Sequence, residues 1–170
     1  AFVAAPGKDW SSMLQPAYLQ QRASLVSSRR MADAPAGKPG TTTVGYAPMA
    51  DQPEYGTSHI SIIDGAGHAV ALTTTIEDQF GARQMVKGFL LNNELTDFTA
   101  RPEIEGRAVA NRVQGGKRPR SSMSPTLVFD RDRRLVAVVG SAGGARIIGD
   151  TFQALIGMLD WNLAAQPALD

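Results

Sequence analysis

Residues 27–56 carry eight Pro and Gly residues (Pro35, Gly37, Pro39, Gly40, Gly45, Pro48, Pro53 and Gly56), and the next seven residues carry none. Pro fixes φ and removes a donor, and Gly loses most freedom on ordering, so neither helix nor sheet ladder runs through such a stretch. We read it as an extended linker of about 30 residues. Unstructured runs of that length inside a compact domain are uncommon and tend to be functional. The chain turns β-prone immediately after Gly56. Thr57–Ile63 and His68–Ile76 read as two strands around the turn Asp64-Gly65-Ala66-Gly67. A three-residue loop, Gly65 to Gly67, pairs Asp64 with His68 and Thr57 with Thr75. A two- or four-residue loop moves the partner of Thr57 to Thr74. In each register a second Thr hydroxyl lies across from Thr57.

The remaining elements follow from periodicity. Residues 10–30 read as a short helical segment, with Pro16 at a first helical position and Tyr18, Leu19, Leu25 and Val26 as a candidate apolar stripe. Residues 88–98 begin as a buried strand and end in polar groups. Residues 99–125 are loop-like and basic. Thr126–Asp130 and Leu135–Gly140 form a second hairpin around Arg131-Asp132-Arg133-Arg134. Ser141-Ala142-Gly143-Gly144 then leads into a helix from about Ala145 to Trp161, with Ile148, Phe152, Leu155, Ile156 and Leu159 as its apolar stripe. Strands dominate the middle and a helix covers them, which is an α+β or layered arrangement.

Composition narrows the function. Of 170 residues 43% are hydrophobic, enough to bury a core. The net charge of +1 gives no nucleic-acid footprint. The basic runs Lys117-Arg118-Pro119-Arg120 and Arg131-Asp132-Arg133-Arg134 lack interleaved aromatics and read as solvated loops. No run approaches about 20 apolar residues, so no membrane-spanning helix is expected. The absence of Cys excludes disulfides, thiolate catalysis and Cys-ligated zinc. The chain opens Ala-Phe-Val and stops soon after a helical pattern, which we take as the expectation of a piece of a larger precursor.

Few residues are left to carry chemistry. The two His residues, His59 and His68, have no metal spacing and read as structural or solvated. Gly143-Gly144 before the last helix lacks the Lys-Ser/Thr of a phosphate loop; a tight turn and an oxyanion hole of backbone N–H groups both fit it. Thr57 begins a strand directly after a Gly at the end of a flexible stretch. If the Gly56–Thr57 bond is cut, Thr57 gains a free α-amine with a pKa of about 8, which can take its own hydroxyl proton near neutrality. The cut can be self-catalysed, with Thr57 Oγ1 attacking the Gly56 carbonyl. On spacing alone, a plain strand start remains the simpler reading. Likewise, loop solvation for Ser121 and Ser122 and turn capping for Asn92 and Asn93 are the simpler readings of the residues by themselves.

Four separated motifs occur in one order: Thr57–Asp64; Leu91-Asn92-Asn93-Glu94 with Asp97-Phe98; Lys117–Thr126; and Gly140–Ile148. Over about residues 57–160 this series resembles the γ-glutamyltranspeptidase family of N-terminal-nucleophile hydrolases. The resemblance implies an αββα four-layer sandwich, of which this chain would form part. It implies that residues 1–56 are the end of a large subunit plus the linker, and that 57–170 are most of a small catalytic subunit. Gly56 and Thr57 would flank the cleavage site. Thr57 would be the nucleophile, Thr75 the second Thr that orients it, and Gly143 and Gly144 the oxyanion hole. Asn93, Glu94 and Asp97 fall in the segment that would recognise a substrate α-amino group, and Ser121 and Ser122 would donate to its α-carboxylate.

The implied partners are the large-subunit remainder and a γ-glutamyl or other acyl-amide substrate such as a glutathione-like amide. The chemistry needs no metal or organic cofactor. The resemblance suggests a periplasmic or secreted protein and leaves a cytoplasmic one open. Two features depart from the glutamyl-specific pattern. Glu77 stands where those members have Asn, placing a negative charge beside a carboxylate pocket unless it is paired or turned away. The stretch 99–120 is short and has no aromatic residue. The family's carboxylate-clamping Arg lies in the large subunit, outside this chain. These features are similar to the cephalosporin-acylase-like branch, so a glutaryl acylase is the alternative activity, and an uncleaved, non-catalytic piece is the alternative of another class.

Overall fold

The computed structural model describes residues 10–39, 46–50, 52 and 56–170; residues 1–9 and the linker positions 40–45, 51 and 53–55 lie outside the described residues. In chain order the elements are α1 (Pro16–Ala23), β1 (Thr57–Ile63), β2 (Ala69–Thr75), β3 (Met85–Val86), β4 (Phe89–Leu90), β5 (Glu103–Ile104), β6 (Arg107–Ala108), β7 (Thr126–Phe129), β8 (Leu135–Val139), α2 (Ile147–Leu159) and α3 (Ala165–Leu169). Every strand pair is an antiparallel hairpin: β1 with β2, β3 with β4, β5 with β6 and β7 with β8. The chain is therefore α+β, as expected. Among the described residues no helix is long and apolar enough to cross a membrane.

The described residues form two compact units, one from those within 1–49 together with 101–118 and one from those within 50–100 together with 119–170. In the first, Pro16 opens α1 and the helix ends at Ala23, so Leu25 and Val26 fall outside it. The expected stripe does not form: Leu19, Leu25 and Val26 are exposed. Tyr18 instead lies over Gly37, where a Cβ would overlap its ring. The stretch read as loop between 99 and 125 contains the β5–β6 hairpin. Ala47, expected in a free linker, is buried and forms a parallel bridge with Val109, its N–H donating to Ala108 at 2.9 Å. Lys117, read as solvated, donates through Nζ to the carbonyls of Ala110 and Arg112.

The second unit holds the two main hairpins. The β1–β2 hairpin packs on β7 and β8, and α2 packs on β8 and α3. Its buried residues include Phe98, Val139, Ile147, Ala154 and Ala168. Ile147 is 1% exposed, and burying such a side chain contributes about 1.5–3 kcal/mol.

Two expectations are corrected here. The packed face of α2 is Ile147, Thr151, Ala154 and Gly157, whereas Ile148, Phe152 and Leu159 are exposed. The helix is apolar on more than one face, and its small residues permit the closest approach. A Cβ on Gly157 would stand 3.0 Å from the Ala168 Cβ, so α3 can sit directly on that turn. The start of 88–98 is also not a buried strand. It is the second half of the β3–β4 hairpin, with Phe89 exposed.

Candidate active site

The turn between β1 and β2 sets the site. Asp64 Oδ1 accepts the N–H groups of Ala66 (2.9 Å) and His68 (2.8 Å), and Oδ2 meets His68 Nδ1 at 2.7 Å. The bond to the His68 side chain is the main cause holding the Asp64 carboxyl below its ordinary range. Asp64 N–H donates to His68 O at 3.0 Å, which closes a three-residue loop. A one-residue slip would turn every side chain to the other face, so this loop length decides the register. The register is Thr57 with Thr75, as the three-residue loop requires.

The hydroxyl of Thr75 then serves two neighbours. It donates to the Gly56 carbonyl oxygen at 3.0 Å and accepts the Glu77 N–H at 2.9 Å. Gly56 has φ +63°, and a Cβ there would lie 3.0 Å from the Glu77 carbonyl oxygen. A side chain at 56 is therefore disfavoured by both conformation and space.

Glu77 is buried, with φ +72°. The amide of Asn93 donates to its carboxylate Oε2, so Glu77 is paired, in answer to the repulsion raised by the sequence. Asn93 Oδ1 accepts the Asp78 N–H at 3.0 Å, and Asn93 N–H reaches the Ile76 carbonyl at 3.2 Å. Asn93 thus ties the turn after β2 to the short helical turn Glu94–Asp97, and it holds Glu77 from outside the cavity wall. Burial, together with the Asp97 and Glu77 carboxylates, pushes Glu94 up to about 7.

One cavity gathers these groups. Thr57, Thr75, Glu77, Glu94 and Asp97 line its wall. Ser121 and Ser122 line it as well, as does Gly144. Gly143 and Gly144 have φ +123° and +59°, conformations that favour glycine. Gly143, Asn93 and Gly56 are not on the wall itself; each adjoins a residue that is. Arg120, Met123 and Ile147 also line the cavity, and the sequence did not single them out. The available signal for Arg120 was its place next to Ser121; grouping it with a solvated basic run obscured it. Four hydroxyl side chains (Thr57, Thr75, Ser121 and Ser122), three carboxyl groups (Glu77, Glu94 and Asp97) and the Arg120 guanidinium share this wall, a set that can take both a cationic and an anionic group of one ligand.

A family model described as gamma-glutamyltranspeptidase matches residues 2–170. The chain belongs to the gamma-glutamyltranspeptidase family. Among its relatives, the glutathione hydrolase proenzyme of Bacillus subtilis subsp. natto is 38% identical over 178 residues, covering 99% of this chain and 29% of that protein. A solved gamma-glutamyltranspeptidase from Pseudomonas nitroreducens, complexed with L-DON, matches with a TM-score of 0.55 at 41% identity, covering 65% of this chain and 60% of that one. The T380A mutant of the Helicobacter pylori gamma-glutamyltranspeptidase matches with a TM-score of 0.54 at 39% identity, covering 65% and 62%. The chain therefore spans less than a third of the length of the Bacillus glutathione hydrolase proenzyme.

Proposed function

We propose that the whole protein cleaves itself before Thr57 and then transfers or hydrolyses γ-glutamyl groups of glutathione-like amides through a Thr57 ester. The observation that carries this is the Thr75 hydroxyl on the Gly56 carbonyl oxygen, directly beside the strand-leading Thr57. Attack forms the bond from Thr57 Oγ1 to the Gly56 carbonyl carbon and breaks the bond from that carbon to the Thr57 nitrogen. The hydroxyl proton ends on the departing amine. Water then hydrolyses the ester, leaving a Gly56 carboxylate and a free Thr57 amine. The Bacillus relative is named a proenzyme, which agrees with a chain that must be cut.

In the cut protein the same amine takes the Thr57 hydroxyl proton during attack on a substrate amide and returns it to the leaving amine. Once Gly56 has left, the Thr75 hydroxyl is released to orient Thr57. The N–H groups of Gly143 and Gly144 bear the negative charge of the tetrahedral intermediate, an effect worth about 3–4 kcal/mol for one donor. Glu94, Asp97 and Glu77 take the substrate ammonium, with Asn93 positioning Glu77. Ser121 and Ser122 donate to the substrate carboxylate. Residues 1–56 belong to the large subunit and 57–170 to the small one, and together with the remainder of the precursor they build the αββα four-layer sandwich.

Glu77, Glu94 and Asp97 outnumber Arg120 on the cavity wall, which favours a γ-glutamyl over a glutaryl group, because glutaryl has no ammonium to offset the excess of carboxylates. Turnover of γ-glutamyl and glutaryl anilides by the full-length protein tests this. We expect preference for the γ-glutamyl compound and loss of all turnover in Thr57→Ala. Preference for the glutaryl compound would support the acylase alternative, and activity in Thr57→Ala would refute the mechanism.

A further inference from the structure

His59 stands one step along the strand from the Thr57–Thr75 pair. It follows Thr57 by two residues, so both side chains leave the same face of β1, and it pairs across the hairpin with Thr73. Its Nδ1 lies 2.8 Å from Thr73 Oγ1 and its Nε2 lies 3.0 Å from Ser61 Oγ. The Ser61 hydroxyl donates to the Val138 carbonyl at 3.2 Å. These bonds assign the hydrogens. A carbonyl only accepts, so the single Ser61 hydroxyl hydrogen goes to Val138. Nε2 must then carry the hydrogen that Ser61 Oγ accepts. Nδ1 makes the second bond, to the Thr73 hydroxyl.

The ring also rests on Gly140. A Cβ there would overlap the ring at Cε1, Nδ1 and Nε2, so only glycine admits this contact. Val138 lies in β8, and Gly140 directly follows that strand and opens the stretch that runs to Gly143 and Gly144. His59 therefore touches both the strand that begins at Thr57 and the segment that leads to the oxyanion donors.

We propose that His59 is a positioning residue: bonded to Thr73 and Ser61 and seated on Gly140, it sets the spacing between Thr57 and the amides of Gly143 and Gly144. This rests on the acyl-transfer function proposed above. A misplacement of about 1 Å at a reacting group can cost about 100-fold in rate. The loss should appear in kcat. KM should hold, because Glu94 and Asp97 are carried by another segment and Glu77 is held by Asn93.

The test uses the full-length precursor with His59→Phe, His59→Gln and Gly140→Ala, following the split before Thr57 and the turnover of a γ-glutamyl anilide. His59→Phe keeps the ring and removes both hydrogen bonds; kcat should fall about 10- to 100-fold with KM within about twofold. His59→Gln supplies one donor and one acceptor and should recover most of that loss. Gly140→Ala should reproduce the Phe defect with His59 present, and it serves if circular dichroism shows that the Phe variant does not fold. Normal kcat in Gly140→Ala and in folded His59→Phe, alongside an active wild type, overturns the inference and leaves the acyl-transfer function standing. A wild type that neither splits nor turns over the anilide overturns both.

Discussion

The hydroxyl of Thr75 donates a 3.0 Å hydrogen bond to the carbonyl oxygen of Gly56, the atom that would gain negative charge in the proposed attack by Thr57 Oγ1. Removing this donor without changing shape isolates its role. In Thr75→Val the Gly56 oxygen loses its donor and the Glu77 N–H loses its acceptor. A hydrogen bond to a charged group is worth about 1.5–3 kcal/mol, so splitting of the precursor should slow about 10- to 100-fold. Thr75→Ser should split at close to the normal rate. Gel analysis of the two fragments over time gives both rates.

Gly56→Ala tests the backbone rather than the hydrogen bond. Gly56 has φ +63°, and the new Cβ would press on the Glu77 carbonyl oxygen. A left-handed conformation costs an L-residue about 1–2 kcal/mol, so the chain should relax and carry the scissile carbonyl away from Thr75. Splitting slows about tenfold or more. Protein assembled from separately made pieces ending at residue 56 and beginning at Thr57 should show ordinary kcat, because residue 56 has then left the reacting bond. An equal loss of kcat in the assembled form would contradict this.

How much of this was legible without the fold depends on sequence distance. A second Thr opposite Thr57 was legible because a local turn fixes the register of the whole hairpin; that the loop closes with three residues, making the partner Thr75 and not Thr74, came from the fold. The Glu77–Asn93 contact was not. Those residues lie 16 apart and meet through turns with positive φ at Glu77, Phe80 and Gly81. Gly81 packs so closely on the Leu91 carbonyl that a Cβ would overlap it, a contact that no periodicity announces. The buried face of α2 was also hidden, because a helix apolar on several sides gives no unique stripe. Small Ala154 and Gly157 decided the packing instead of Phe152 and Leu159.

The Glu94 carboxyl is raised to about 7, first by burial and then by Asp97 and Glu77. An ammonium is bound best by the ionised form, so kcat/KM for γ-glutamyl substrates should rise with pH through about 7. Asp97→Asn removes a neighbouring charge and should move that limb to lower pH, while also weakening ammonium binding. The sign for stability is opposite. The unfolded chain ionises first, from about 4.5, so the contribution of Glu94 is fully present below that pH and is lost as pH rises through about 7. A pH profile of kcat/KM, paired with melting curves over the same range, checks both signs.

Glu77→Gln keeps the side-chain shape and removes one of the three carboxyl groups on the cavity wall. It also removes a cause of the raised Glu94 pKa. KM for a γ-glutamyl anilide should rise about tenfold, equivalent to about 1.4 kcal/mol, while turnover of the glutaryl anilide holds or improves. A matching rise in KM for both anilides would show that Glu77 supports the fold and does not read the ammonium.

The central claim concerns one peptide bond, and mass spectrometry of the full-length precursor after incubation measures it directly. We predict two products that meet between Gly56 and Thr57, with turnover appearing as they form and neither seen in Thr57→Ala. A single intact species that turns over γ-glutamyl anilide with the bond unbroken would contradict the account.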